Sequence, residues 1–193
     1  NTNKTFFEQA KLDYSDISAR ARTDAEATEF LYEEAIRDIG LPKSLVLDLD
    51  EDEDIAVNIN ETVVMISISD KMLFNTGSYR ISNKADNILK KLADVINSEE
   101  SIDVMVEGHT DSRSINTEKI KDNWDLSVLR ATSVVRKLQH KYNVDPVKLI
   151  ASGRSSYQPL VDNNTRENRT KNRRTRIILM PNIDKFFALM EAN

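Results

Sequence analysis

The sequence predicts an α+β domain, helices laid on one face of a sheet, with a helical appendage in front of it. Three observations carry that expectation. Apolar residues alternate at Val63 to Ser69, Ile102 to Val106 and Arg174 to Met180. They recur at helical spacing from Ala85 to Ile96 and from Trp124 to Tyr142. The two kinds of segment interleave, so that from Val63 onward the order reads β, α, β, α, β, β, a small two-layer sandwich.

Taken in order, Phe7, Ala10, Tyr14, Ile17 and Ala21 fall on one face of a first helix. Thr23 and Glu26 form a capping box for a second, whose stripe is Phe30, Leu31, Ala35 and Ile39 and whose end is marked by Gly40 and Pro42. We read residues 1–44 as this appendage or linker and residues 45–193 as the main domain. Packing on the main domain is the simpler use of the helical faces; pairing with a second copy, as a homodimer, is the alternative.

Leu45, Leu47 and Leu49 alternate into the acidic run Asp50 to Asp54, and Ile55, Val57 and Ile59 alternate after it, predicting two strands around a polar turn. Val63 to Ser69 is the next strand, ending in a loop that carries Phe74, Thr76 and Gly77. Ser82 is the expected N-cap of a helix striped by Ala85, Ile88, Leu89, Leu92 and Ile96. The strand at Ile102 runs out at Gly108, and a long helix begins near Trp124 with the stripe Trp124, Val128, Ala131, Val135, Leu138 and Tyr142. Asp145 and Pro146 start a short helical turn, Leu149 to Ala151 is an apolar stretch ending at Gly153, and Ile183 to Met190 is a closing helix.

Composition narrows the function. The chain has 193 residues, enough for one domain with an appendage, and its 39% apolar and 31% charged residues suit a packed core. A formal charge of −5 argues against a general affinity for nucleic acid, whose phosphates require a basic face. With no cysteine there are neither disulfides nor thiolate metal sites. No apolar run approaches the roughly 18 residues of a membrane helix, so a membrane is expected to be reached only through a signal, lipid anchor or helix upstream.

The most informative stretch is Val106 to Arg130, in which a strand delivers Asp111 just past a glycine and a helix presents Leu126, Arg130 and Ser133 on one flank. Arg130 is expected at the rim of the core, about a quarter turn from the apolar stripe. A carboxylate and a guanidinium so placed suit the two charges of an amino-acid end group, the guanidinium taking a carboxylate through two parallel hydrogen bonds. On spacing alone, a surface salt bridge between Asp111 and Arg130 is the commoner outcome.

The segments LFNTGS (Leu73 to Ser78), VEGHTD (Val106 to Asp111), NWDLSVLRA (Asn123 to Ala131), ASGRS (Ala151 to Ser155) and NRRT (Asn172 to Thr175) resemble, in order and spacing, the OmpA/MotB C-terminal family over Val63 to about Pro181. The longer stretch between Asp111 and Asn123, with Trp124, looks closer to the MotB-like branch. The resemblance implies a β-α-β-α-β-β sandwich with a mixed sheet, no cofactor, and non-covalent binding of peptidoglycan in the periplasm, anchoring a protein tethered to the outer or inner membrane. It implies that Asp111 binds the amino group of diaminopimelate and Arg130 its carboxylate. Asn123 and Leu126 stand in supporting positions, Thr76, Gly77 and Thr110 line the pocket, His109 orients the Asp111 loop, and Arg173 or Arg174 touches the peptide or the glycan. Diaminopimelate differs from lysine by one carboxylate, so such a site is expected to reject lysine-type peptides by leaving its arginine unpaired.

Other signals have plainer readings. Arg166, Arg169, Lys171, Arg173, Arg174 and Arg176 form a basic cluster with no interleaved aromatic residue, which suits a solvated loop leading into a strand. Asp50, Asp52, Asp54, Asn58 and Glu61 match part of a calcium-loop pattern, but Ile55 stands where the sharp turn needs glycine. His109 and His140 lie too far apart in sequence to suggest zinc. No nucleophile elbow or phosphate loop occurs, so a binder is expected rather than an enzyme. A cell-wall enzyme acting on the same peptide and a protein-interaction module with an unused pocket are the rival readings.

Overall fold

The structure, a computed structural model, describes residues 54–60, 63–75 and 77–182. A five-stranded sheet holds β1 (Ile55–Asn60), β2 (Val63–Ser69), β3 (Ile102–His109), β4 (Leu149–Gly153) and β5 (Arg174–Pro181) in the order β1-β2-β5-β3-β4. Only β3 and β4 run parallel; the other pairs are antiparallel, so the sheet is mixed as expected. The helices are α1 (Asp70–Leu73), α2 (Ala85–Ser98), α3 (Asn123–Tyr142) and α4 (Arg166–Asn172), with a 3-10 turn at Pro146–Lys148.

Alternation places one set of strand residues against the helices. Val64, Ile66 and Ile68 of β2, Ile102, Val104 and Val106 of β3, and Ile177 and Leu179 of β5 are buried there. Leu89, Leu92 and Ile96 of α2 and Ala131, Val134 and Leu138 of α3 complete the core. Each fully buried Leu or Ile contributes roughly 2 kcal/mol of transfer free energy, so this layer dominates the stability of the domain.

The ends of α3 are chemically marked. The Asp122 side chain accepts from the Asp125 amide at the start, and Asn143 closes the helix in a left-handed conformation, its amide donating to the Leu138 carbonyl. Asp145 accepts from Val147 in the same way ahead of the 3-10 turn that Pro146 begins.

Three expectations are corrected. Ser82 does not cap α2: its hydroxyl donates to the Met72 carbonyl at 2.7 Å, and Lys84 precedes the helix without a side-chain cap. On α3, Trp124 and Val128 are 47% and 42% exposed, and the buried positions are Leu126, Ser127, Arg130, Ala131, Val134 and Leu138. The inward face therefore includes Arg130, which lies inside the core boundary and not at its rim. Finally, α4 occupies part of the basic stretch read as a loop; Thr165 caps it by accepting from the Asn168 amide. The predicted helices before residue 41, the strand at Leu45 and the helix at Ile183 lie outside the described residues.

Candidate functional site

Strands β2 and β3 end, and β5 begins, at the same end of the sheet, which gathers Asp70 at the start of α1 with Asp111 and Arg173 in the connections there. Two glycines let α3 approach this end. A β-carbon on Gly108 would overlap the Ser127 carbonyl, and one on Gly153 would stand 2.6 Å from the Val128 side chain. The close approach brings Arg130, in the second turn of α3, over the end of the sheet.

Arg130 is 2% exposed and held on three sides. Its Nε donates to the Ser78 carbonyl at 3.0 Å, its Nη2 meets Asp70 Oδ2 at 2.9 Å, and its guanidinium carbon lies 5.2 Å from the centre of the Phe74 ring. Asp111, also buried, accepts from the Arg113 amide at 2.9 Å and from Arg173 Nη1 at 2.5 Å. Asn123 braces this loop by donating to the carbonyls of Asp111 and Arg113.

Asp111 and Arg130 are thus not salt-bridged to each other. They belong to one electrostatic cluster of four groups, Asp70, Asp111, Arg130 and Arg173, with no net charge. Burial pushes the Asp70 carboxyl above its ordinary value despite Arg130 and Arg173, and burial lowers Arg130 against the opposing pull of Asp70. Asp70 Oδ1 and Arg130 Nη1 are buried without a hydrogen-bond partner among the described residues. The bonded Asp70–Arg130 pair thus keeps one buried acceptor and one buried donor unused, which suits a group that brings one of each.

A second network lies on the sheet face away from the helices. Glu107, 1% exposed, accepts from His109 Nε2 at 2.8 Å and Arg154 Nε at 2.6 Å, and meets Arg176 at 3.4 Å. The His109 hydrogen bond, then Arg154, holds the Glu107 carboxyl down to about 2. A carboxylate only accepts, so His109 Nε2 carries the proton of a neutral ring, which burial favours by lowering the imidazole pKa. Arg174 lies on the same face, donating to the carbonyls of Asn172 and Gln158; burial and Arg176 lower it to about 10.

Of the residues singled out in the sequence, Asp111, Arg130, Asn123 and Arg173 come together, while His109 and Arg174 join the Glu107 network. Leu126 is buried within α3, Thr110 donates its amide to the Ser155 carbonyl, and Gly77 makes a left-handed turn one residue before Ser78. Thr76 is outside the described residues. Asp70 was not singled out, and its only signal was a carboxylate directly after the strand Val63 to Ser69. The described residues hold no group of three or more His, Cys, Asp or Glu placed to bind a metal, and no helix among them is long and apolar enough to cross a membrane.

Fold and cluster together define an α+β domain with a buried cluster of two carboxylates and two guanidinium groups at one end of its mixed sheet. Residues 73–173, just over half of the chain, match the OmpA family model, and the chain belongs to that family. It is 33% identical over 120 residues to the uncharacterised Bacillus subtilis protein YtxE, covering 62% of this chain and 49% of that one. It is 29% identical over 118 residues to Motility protein B of Bacillus subtilis, covering 61% and 45%. The chain spans about half the length of these curated relatives.

Among solved structures, a MotB-like protein from Desulfovibrio vulgaris superposes with a TM-score of 0.68 at 26% identity, covering 81% of this chain and 95% of that one. The cell wall anchor of the T6SS from Pseudomonas aeruginosa gives 0.66 at 28% identity, covering 72% and 95%.

Proposed function

We propose that this domain binds peptidoglycan without catalysing its breakdown, gripping the zwitterionic end of diaminopimelate in the stem peptide. Asp111 takes the ammonium and Arg130 the carboxylate. The observation that carries the reading is the buried, charge-neutral cluster of Asp70, Asp111, Arg130 and Arg173, which retains an unfilled acceptor and an unfilled donor. A zwitterion adds no net charge to such a site and supplies both missing partners.

Two features refine the expected contact. Arg130 already spends Nε on Ser78 and Nη2 on Asp70, so the ligand carboxylate meets Nη1 and not a fully open fork. Arg173, a third exposed, lies on Asp111 and shares or yields that carboxylate when an ammonium enters. The family relationship and the likeness to a wall anchor support a periplasmic role in which residues 1–44 connect the wall-bound domain to a membrane-held part of the protein or its complex.

The test is co-sedimentation with insoluble peptidoglycan. The native protein pellets with diaminopimelate-type walls and stays largely in solution with lysine-type walls. Asp111→Asn and Arg130→Lys, each checked by thermal melting, lose most of the binding. Equal binding to both wall types, or release of soluble wall fragments by the protein, contradicts the proposal.

A further inference from the structure

We infer that Asp70 is a second receptor for the ligand ammonium, so that the site recognises an amino group and a carboxylate carried on one carbon. The inference rests on the reading of the site just given and adds a residue to it. Asp70 stands at the start of α1, directly after β2, and its amide donates to the Arg173 carbonyl at 3.1 Å. This bond ties its backbone to the residue that covers Asp111.

Only one Asp70 oxygen is used. Oδ2 holds Arg130 Nη2 at 2.9 Å, while Oδ1 is buried with no hydrogen-bond partner among the described residues. Were Asp70 present solely to orient Arg130, a buried carboxylate with one idle oxygen would be a costly way to do it, because desolvation is repaid only when the remaining lone pairs are satisfied. Arg130 itself is already oriented by the Ser78 carbonyl and the Phe74 ring.

The open atoms on the Asp70–Arg130 pair are complementary to a single ligand group. Oδ1 can accept from an ammonium and Nη1 can donate to a carboxylate. Because Asp70 and Arg130 are in contact, the two ligand charges must also be close to each other, as they are when both stand on one carbon. Asp111 lies within electrostatic reach of both Asp70 and Arg130 and supplies the other carboxylate to the ammonium. An ammonium has three N–H donors, which two carboxylates can engage together. A lysine end, which has the amine and no carboxylate, reaches half of this arrangement.

The experiment titrates the native protein, Asp70→Asn and Asp111→Asn with the tripeptide L-Ala-γ-D-Glu-meso-diaminopimelate, followed by NMR. Two further ligands are the same peptide acetylated on the end-group amine and the peptide amidated on the end-group carboxylate. Asp70→Asn is expected to weaken the unmodified peptide at least tenfold and to have no effect on the acetylated one, since the lost interaction is with the ammonium. Its penalty is expected to persist on the amidated peptide.

If Asp70 merely positions Arg130, the pattern reverses: the penalty survives acetylation and disappears on amidation, and the inference is overturned. It is also overturned if Asp111→Asn loses binding while Asp70→Asn does not. Failure of the native protein to bind the unmodified peptide overturns the site reading and this inference together. The Arg130 Nε–H resonance, unshifted in Asp70→Asn, shows that the guanidinium has stayed on Ser78; Asp70→Ser is the second variant, expected to show the same acetylation pattern.

Discussion

Gly108 and Ser127 meet backbone to backbone: a β-carbon on the glycine would stand 2.9 Å from the Ser127 carbonyl carbon and overlap its oxygen. The contact sets how closely α3 lies on β3, and hence where Arg130 stands relative to Asp111. Main-chain atoms on both sides cannot turn aside. Gly108→Ala is therefore expected to destabilise the domain by about 2 to 3 kcal/mol and to weaken wall binding beyond the loss of folded protein. Urea unfolding with a binding assay at matched folded fraction checks it; unchanged stability would show that α3 shifts freely.

Asn172 is fully buried at the end of α4 and pins the preceding loop. Its Oδ1 accepts from the amides of Leu160 and Val161 at 2.8 and 3.1 Å, and its Nδ2 donates to the Val161 carbonyl and Asn163 Oδ1. Asn172→Ala leaves two main-chain amides without their acceptor, which is expected to cost about 2 to 4 kcal/mol. Amide exchange at Leu160 and Val161 should accelerate more than in β3. Uniform acceleration across the domain would mean that the loop is not held locally.

Much of the architecture was legible because β2, β3 and α2 carry a clean apolar period. On α3 the period misled. Ser127 and Arg130 occupy inward positions that a search for hydrophobic residues passes over, and Trp124 and Val128 supply an apolar signal on the outside. Helix α4 escaped notice because it has no apolar stripe, its start being fixed by the Thr165 cap. Asp111 and Arg130 could be picked out from their motifs, but which residue pairs with which depends on contacts such as Arg173 with Asp111, 62 positions apart in sequence. His109 shares the sheet face of Glu107 because side chains two apart on a strand point the same way, whereas Asp111 lies past the end of β3, where that alternation no longer applies.

Trp124 tests the corrected face of α3. Its ring is half exposed and packs only loosely, 5.6 Å from the still more exposed ring of Tyr157. Trp124→Ala is accordingly expected to cost no more than about 1 kcal/mol, against roughly 3 to 5 kcal/mol for a tryptophan in the core. As the sole tryptophan, it also reports on the neighbouring Asn123–Asp111 brace, and its emission should shift when a wall peptide binds. A loss of several kcal/mol on substitution would restore the original stripe.

Acid should unfold this domain largely through Glu107 and His109. The Glu107 carboxyl is held at about 2 in the folded protein against an ordinary 4.5, so the unfolded chain takes up its proton first as pH falls. The stabilisation from Glu107 is complete above about pH 4.5 and drains away toward pH 2; a displacement of this size corresponds to about 3 kcal/mol. His109 acts in the same direction from higher pH: burial holds its ring below the usual 6.5, so the unfolded state gains a proton that the native state refuses. Asp70 opposes them. Its raised carboxyl binds a proton in the folded state before the unfolded one, adding stability as pH drops through its folded value. Asp86 and Asp162, whose carboxyls are also held below their ordinary value by hydrogen bonds, act with Glu107 and His109 against Asp70, and the urea midpoint is expected to fall from pH 6.5 to pH 3. In Glu107→Gln the protein should start about 3 kcal/mol less stable at pH 7 and lose less than the native protein below pH 4.5, because one of the groups that titrate there is gone. In Asp70→Asn the acid loss should steepen, as the opposing contribution is removed. A midpoint that stays level from pH 7 to pH 3 in the native protein would contradict the whole assignment.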